Sequence, residues 1–420
     1  MNIKSITAVA LASLYIANIA CADNKAATAQ LPAPAPVQKK EQKKVYMHMM
    51  TWFETKETNR HPDPKYVGGW GCHWSMDTCN PDSIVDQSTG RRQIASHYYP
   101  LTGPYSSGDK DIIEYQLLLM KLAGIDGIIF DYTTMNPAWD YPMLTANTDS
   151  IERQTRKIGL DYCILYEDQH LRDAAARNEL TVPKIERAKM DMKYIIDRYI
   201  SQPNYIKIDG RPLLLDFGPQ TFETEAEWDE IFSVFGDVKP EYYTLWYESK
   251  DAGKNATGEY AWIWKNHLGD LNAFYGNDYK GKKIGCAYPG FRDFYREGNW
   301  GGGIGWGIPH HGTKTLRESL DASLKSDVDI IQLATWNDYG EGTMFEPTAE
   351  FGFSFLSELQ KQLGVENLNE SDLELVYDLY KARKSHKDSP EIQSKLDEAS
   401  ALMAALKTAE ARKIIESVGK

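Results

Sequence analysis

Short β-rich runs alternate with helical segments along most of this chain, beginning at about residue 45. Apolar runs at residues 127–132, 162–168 and 329–335 read as buried strands, and residues 184–200 form a clear amphipathic helix between two of them. About eight strands in this alternation favour a parallel sheet covered by helices. The expected closed form is a (β/α)8 TIM-type barrel. An open doubly wound sheet is the alternative, but no glycine-rich dinucleotide fingerprint follows the first strand.

The composition divides the 420 residues into four predicted parts. Residues 1–22 are typical of a signal peptide or a lipoprotein signal. Residues 23–44 are rich in Ala, Pro, Lys and Gln and are expected to form a disordered tether. Residues 45–352 are predicted to form the catalytic barrel. Residues 353–420 change to Glu, Lys, Leu and Ala with helical periodicity, which predicts a C-terminal helical extension.

The N-terminal segment predicts export. Residues 6–20 are apolar but too short to span a membrane as a mature helix. Residues 20–22 fit a small-x-small cleavage site that would release the chain, whereas residues 19–21 resemble the end of a bacterial lipobox with Cys21 as the lipidated residue. The tether that follows favours the lipid anchor. We therefore expect an exported protein of the bacterial periplasm, or a lipoprotein of the outer membrane or cell surface that contacts the membrane only through Cys21.

Charge and motif content exclude several classes of partner. A net charge of −13 and a pI near 5.3 argue against nucleic-acid binding, because the chain has no excess of basic residues to contact phosphates. The histidines show no zinc-binding spacing, and no Gly-x-Ser-x-Gly elbow is present. No metal or cofactor is therefore expected. Export makes a disulfide between Cys72 and Cys79 plausible, while Cys163 and Cys286 are expected as buried free thiols.

Several predicted strands end in an acid, and in a parallel barrel all of these ends face one rim. Convergent carboxylates suit glycosidic bond cleavage, since one acid protonates the departing oxygen and another acts as base or nucleophile. Helix capping is an equal alternative for three of them. The three are Asp131, Asp168 and Asp216, and Glu167, Glu248 and Asp338 complete the set.

The strongest pair of acids follows the last strand, in Trp336-Asn337-Asp338-Tyr339-Gly340-Glu341-Gly342-Thr343. Asp338 and Glu341 are the predicted catalytic residues, because Trp, Asn and Tyr crowd around them. The predicted polar contacts to substrate are Asp131, Glu167, Asp168, Asp216, Asn337 and Glu346. The predicted aromatic contacts are Trp52, Trp70, Trp74, Tyr132, Trp246, Tyr288 and Trp336, with Trp262 as a further candidate, and Trp70 and Trp74 rank highest because they lie in a Gly-rich loop.

This loop, together with Glu346-Pro347, resembles the signature loop of glycoside hydrolase families 71 and 99. Residues 99–107, 120–127 and 209–212 also resemble family 99, so the likeness runs in order over about residues 45–350. Family 99 comprises endo-acting α-mannosidases and α-mannanases, and family 71 comprises endo-α-1,3-glucanases. The resemblance therefore implies an oligo- or polysaccharide substrate with α-linkages.

The resemblance also implies roles for the two acids. Glu341 matches the general acid/base, and Asp338 matches the base that deprotonates the sugar 2-hydroxyl, a route through a 1,2-anhydro sugar with net retention. Family 99 has Glu where this chain has Asp338, which is shorter by one C–C bond, ~1.5 Å. The Trp-Asn-Asp-Tyr-Gly-Glu run is closer to family 71, and a wider gap between carboxylates predicts inversion. Stereochemistry and the choice of α-mannan or α-glucan stay open, and a non-catalytic glycan-binding lipoprotein is the alternative.

Overall fold

Eight parallel strands close into a barrel in the part of the chain described by the computed structural model, residues 31–61 and 69–419. The strand β1 pairs with both β2 and β8, and β3 pairs with β4, so the sheet has no open edge. The predicted (β/α)8 fold is confirmed. The strands are β1 (Lys44–Met49), β2 (Gly127–Tyr132), β3 (Asp161–Tyr166), β4 (Arg211–Asp216), β5 (Glu241–Leu245), β6 (Ala256–Tyr260), β7 (Lys282–Ala287) and β8 (Ile330–Leu333).

A layer of helices covers the outside of the barrel. Every residue of β2 and β8 is buried, as expected for strands covered on both faces. Asp109 starts the first helix by accepting hydrogen bonds from the N–H groups of Asp111 and Ile112. The helices are α1 (Lys110–Leu122), α2 (Tyr141–Ile158), α3 (Gln169–Ala176), α4 (Lys184–Ile195, continued by a π-helical turn at Ile196–Ile200), α5 (Glu225–Ile231), α6 (Leu268–Gly276) and α7 (Lys314–Lys325).

Two local predictions near β4 and β6 had different outcomes. Asp209-Gly210 between two apolar runs predicts a hairpin, and this prediction is confirmed: Lys207–Ile208 pairs antiparallel with the start of β4, and both turn residues have positive φ. The sequence pattern predicts a sixth strand at residues 260–264, but this strand occupies Ala256–Tyr260. Residues 261–264 already belong to the rim loop.

The C-terminal extension is helical, as predicted, and packs on the barrel. Arg383 makes a bidentate ion pair with Glu114 of α1, with N–O distances of 2.9 and 2.8 Å. The helical periodicity of residues 391–418 predicts one helix there, but the helix is broken at Leu406, whose φ is +61°. The helices are α8 (Ser354–Leu363), α9 (Glu370–Ser385), α10 (Pro390–Ala404) and α11 (Thr408–Val418).

The predicted tether is wrong for residues 32–43, which lie along the protein surface with paired backbone groups. Ala35 N–H donates to the carbonyl of Ala404, and Lys40 N–H donates to that of Gly364. The Lys39 ammonium lies 2.5 Å from the Asp126 carboxylate. Backbone pairing needs no apolar side chains, so composition does not reveal it. Residues 1–30, with the predicted signal and Cys21, lie outside the described residues.

The predicted Cys72–Cys79 disulfide is also wrong, since both cysteines are free thiols. Cys72 is buried with its Sγ 3.8 Å from the Asp140 carboxylate, whereas the Cys79 Sγ lies beside Thr78. The two side chains thus face different neighbours. Cys163 and Cys286 are buried free thiols, as predicted. Within the described residues, no helix is both long and apolar enough for a membrane span.

Candidate active site

The loop after β8 carries both predicted catalytic acids and is fastened to the end of β1. The Asn337 side chain accepts a hydrogen bond from Met50 N–H (2.9 Å) and donates one to the Met50 carbonyl (3.0 Å). Trp336 N–H donates to the carbonyl of His48 (2.6 Å). Trp336 and Asn337 are both fully buried. Their prediction as substrate contacts is therefore wrong, because the Asn337 side chain is bonded to Met50 and the Trp336 ring is packed in the hydrophobic core.

Glu346 also anchors this loop, and its prediction as a substrate contact is wrong too. Its buried carboxylate accepts hydrogen bonds from Tyr105 (2.8 Å), Tyr339 (2.9 Å) and Gln116 (2.9 Å). Burial raises the pKa of Glu346 to about 7, although the three donors oppose this shift. The result is a neutral or easily neutralised acid buried beneath the candidate site.

The buried Glu346 should make stability depend on pH. A carboxyl whose folded pKa exceeds its unfolded value stabilises the fold at low pH and loses that contribution as pH rises. For a pKa moving from 4.5 to about 7, the contribution lost is about 3 kcal/mol. Chemical unfolding between pH 4.5 and 7 measures the free energies of unfolding of wild type and Glu346→Gln. The difference between these two free energies, wild type minus variant, should shrink as pH rises. A constant difference across that window would contradict the assignment.

A neighbouring segment of the β7–α7 connection places a tyrosine beside Glu341. Arg292 N–H donates to the carbonyl of Glu341, and Phe294 N–H donates to that of Gly340, both at 2.8 Å. Gly342 has φ +67°, and a Cβ there would lie 2.7 Å from the Arg292 carbonyl oxygen, so the close approach requires glycine. The Tyr295 hydroxyl consequently donates to Glu341 Oε1 at 3.1 Å.

Asp338 and Glu341 differ in how strongly they hold a proton. Asp338 is 4% exposed, and its Oδ1 accepts the N–H of Glu341 at 2.9 Å. Burial raises the pKa of Asp338 to about 6, while this backbone hydrogen bond opposes the shift. Burial and the nearby charge of Asp338 raise the pKa of Glu341 well above its ordinary value. The pair therefore favours a protonated Glu341 beside a more readily ionised Asp338.

A second group of titratable side chains comes from β2 and β3. The predicted contacts Asp131 and Glu167 lie close together, and His170 Nε2 is 2.5 Å from the Glu167 carboxylate. Burial and the charge of Glu167 raise the pKa of Asp131 well above its ordinary value. Burial would raise the pKa of Glu167 as well, but the charge and hydrogen bond of His170 outweigh it and lower that pKa. The charges of Asp338 and Glu167 influence each other, so the two groups belong to one site.

His48 in β1 faces this site as a neutral imidazole. Gln332 donates its amide N–H to the Ala261 carbonyl, so its Oε1 accepts from His48 Nδ1 at 3.3 Å. That bond leaves Nε2 as the acceptor, 3.6 Å from Asp131 Oδ2. Burial lowers the pKa of His48 to about 4. A protonated Asp131 opposite a neutral His48 is therefore the favoured state.

The chain resembles known proteins in part of its sequence and in its fold. No protein family model matches the chain. A glycoprotein endo-alpha-1,2-mannosidase-like protein from Danio rerio is 24% identical over 177 residues, which is 39% of this chain and 36% of that relative. The GH99 endo-alpha-mannosidase of Bacteroides thetaiotaomicron superposes with a TM-score of 0.53 at 17% identity, covering 76% of this chain and 97% of that one. This chain is similar to the family 99 endo-α-mannosidases.

A solved glycoside hydrolase-like protein superposes equally well, with a TM-score of 0.54 at 13% identity over 79% of this chain and 97% of that one. At these identities the structural likeness shows the shared barrel. The chain spans about a third of the length of the curated relative.

Two of the predicted aromatic residues lie beside the acids of this family 99-like barrel. Trp262 is half-buried, and its ring meets His48 edge to face at 4.9 Å. Trp52 is half-buried and stacks on the His73 ring at 4.2 Å. Trp246 is also half-buried, but it packs against Phe274 of α6, on the helix side. Trp52 and Trp262 therefore remain predicted contacts to a sugar ring.

Three of the other predicted aromatic contacts are structural, which corrects those predictions. Trp74 is fully buried and donates its indole N–H to the Tyr105 carbonyl. Tyr132 and Tyr288 are also buried, packing near Tyr199 and His267 respectively. The remaining residue, Trp70, is half-buried; it donates to Asp82 at 3.0 Å, and the Arg92 guanidinium lies over its ring.

Asp168 and Asp216 are structural acids, although the Asp168 side chain makes no capping hydrogen bond to α3. The Asp168 carboxylate accepts backbone N–H groups of residues 220–222 and thereby fixes the loop after β4. Asp216 is fully buried and accepts a hydrogen bond from Tyr242 at 2.6 Å. The Tyr242 ring packs on Trp228 of α5, which places this pair on the helix-facing side.

His48, His170 and Tyr295 lie near the acids, and the Trp300 ring contacts His73, but none of these four was predicted as a site residue. His48 and Gln332 are polar residues within otherwise apolar strands, and this is the signal that could have identified His48. His170 follows Glu167 by three residues, the spacing of neighbours on one helical turn. Tyr295 and Trp300 lie in an irregular loop, where no periodic signal marks them.

Proposed function

We propose that this protein is a glycoside hydrolase that cleaves within α-linked glycans, with α-mannan and α-1,3-glucan as candidate substrates. The observation that carries the proposal is the pair of buried Asp338 and half-buried Glu341 at the C-terminal rim of the barrel, with the Tyr295 hydroxyl on Glu341. Enzymes on this fold hold their catalytic residues at that rim. The similarity to endo-α-mannosidases in sequence and fold supports the choice of α-linked substrates.

In the proposed reaction Glu341 is the general acid. Its raised pKa keeps the proton on the carboxyl until the glycosidic oxygen departs and takes it. Asp338 is the base, and one of its oxygens is already bonded to Glu341 N–H, so the other is available for a proton. The donated N–H also stabilises the ionised form of Asp338.

Two courses share these roles. In the retaining course Asp338 removes the 2-hydroxyl proton, O2 bonds to C1 as the C1–oxygen bond breaks, and Glu341 protonates the departing oxygen. Water, deprotonated by Glu341, then attacks C1, and O2 regains its proton from Asp338. In the inverting course Asp338 deprotonates a water that attacks C1 directly. Both courses require Glu341 as the acid, and product anomers distinguish them.

The activity should have a bell-shaped dependence on pH. As pH rises through about 6, Asp338 loses its proton and becomes a competent base, so kcat/KM should increase. At higher pH Glu341 loses its proton and can no longer act as an acid, so kcat/KM should fall. Initial rates on a soluble α-glycan from pH 4 to 9 measure both limbs. A profile without a rise near pH 6 would contradict the role of Asp338.

The experiment that tests the proposed function is digestion of yeast α-mannan and of α-1,3-glucan by the purified protein. An endo-acting hydrolase should shorten the polymer early, with oligosaccharides preceding monosaccharide. Binding of the polymer without any shortening would overturn the proposal and favour the non-catalytic glycan-binding alternative.

A further inference from the structure

Three side chains of different chemistry converge at one point on the rim loops. The carboxylate of Asp140 lies 3.8 Å from the Cys72 Sγ and 3.9 Å from the His73 Nε2, and both distances end on the same oxygen, Oδ2. One ligand atom from each of the three residues lies within 4.8 Å of the others. Thiolate, imidazole and carboxylate are the groups that bind Zn²⁺ in proteins. The spacing is close to that of atoms sharing one ion.

The conformation of Asp140 points to a role other than helix capping. Asp140 occupies the N-cap position of α2, where aspartate normally accepts a backbone N–H of the first turn. Its carboxylate makes no such capping bond. It turns instead toward Cys72 and His73 and is only 5% exposed. The nearby charges of His170 and Arg177 offset part of the cost of burying this carboxylate, and a bound cation would offset more of it.

The other two side chains are held in place by their surroundings. Cys72 is 4% exposed and begins the short helical turn Cys72–Ser75. The His73 ring stacks on Trp52, and Trp300 meets it edge to face at 5.5 Å. Rigid packing of this kind fixes a ligand's orientation before an ion binds.

We propose that Cys72, His73 and Asp140 form a binding site for a zinc-class divalent transition metal. The thiolate and carboxylate would together balance the two positive charges of the ion. Three protein ligands leave the fourth tetrahedral position for water. The softness of the sulfur ligand selects against Mg²⁺ and Ca²⁺, which prefer oxygen.

Metal binding would join two rim loops. Cys72 and His73 lie on the connection between β1 and α1, and Asp140 lies on the connection between β2 and α2. The ion would thereby fix the position of His73 and of Trp52, which stacks on it. The site is independent of the proposed catalytic roles, since none of its three residues takes part in them.

A cobalt titration of the full-length protein tests this proposal. After removal of metals with a chelator, one equivalent of Co²⁺ should bind and produce the near-ultraviolet absorption of a thiolate–cobalt bond, and Zn²⁺ should displace it. Cys72→Ser should abolish this absorption. Asp140→Asn should weaken Co²⁺ binding at least about tenfold, since loss of even an outer-shell partner has that effect.

Cys79→Ser is the matched control, because Cys79 is a free thiol in the same loop that faces Thr78. This variant should keep the cobalt absorption and affinity of wild type. Failure of the reduced wild-type protein to bind Co²⁺ with thiolate absorption would overturn the proposal without requiring any variant to fold. Equal absorption in Cys72→Ser and wild type, or its loss in Cys79→Ser, would overturn it as well.

Discussion

Glu341→Gln should lower kcat on an α-glycan polymer by roughly 10²–10⁴-fold, the range for removal of a general acid. The amide retains the shape of the side chain and can still accept the Tyr295 hydroxyl hydrogen bond. Folding should therefore be preserved, and circular dichroism and thermal melting check this. A substrate whose leaving group needs little protonation, such as a glycosyl fluoride, should be impaired less than the polymer.

The matched control is Glu346→Gln, which changes the same residue type in the same loop. Glu346 lies beneath the site among Tyr105, Tyr339 and Gln116, and the Gln116 amide can rotate to accept from the new amide group. This variant should retain most of the activity. Equal losses in Glu341→Gln and Glu346→Gln would show that both act through loop structure, and full turnover by Glu341→Gln would contradict its role as acid.

Asp338→Asn is expected to have a similarly large effect, again roughly 10²–10⁴-fold on kcat/KM. The variant keeps an oxygen that can accept Glu341 N–H, so the loop geometry should survive while the base is lost. A second readout separates the two roles. Removing the negative charge of Asp338 should lower the pKa of Glu341, because that charge helps to raise it.

The residual activity of Asp338→Asn should therefore begin to fall at a lower pH than that of wild type. Rates from pH 5 to 9 for both proteins measure this displacement of the alkaline limb. An unchanged alkaline limb would show that Glu341 does not respond to Asp338. Activity close to wild type would remove Asp338 from the reaction altogether.

The barrel and the rim acids were predictable because their signals are local and periodic. Alternation of strands and helices identified the fold, and the apolar run before Trp336 placed Asp338 and Glu341 at a strand end. Asp131 and Glu167 were predicted on the same reasoning, and the structure brings them to the same site as Asp338.

The direction in which each side chain faces was harder to predict. Successive residues of a strand point to opposite faces, so Asp131 and Tyr132 cannot both reach the site. If the strand register shifts by one residue, the side chains that faced the barrel interior face outward, and their neighbours face inward. An apolar run that is buried on both faces does not reveal which register is correct. Trp74 illustrates a second difficulty. It lies in a Gly-rich loop, yet the loop folds inward and buries the ring completely.

The most direct test of the central claim is proton NMR of α-mannan during incubation with the wild-type protein, with α-1,3-glucan in parallel. The account predicts new reducing-end anomeric signals from one of these polymers, and their absence with Glu341→Gln. The first anomer to appear distinguishes retention from inversion. No new reducing ends from either polymer, with a folded protein that binds them, would contradict the account and leave a glycan-binding protein.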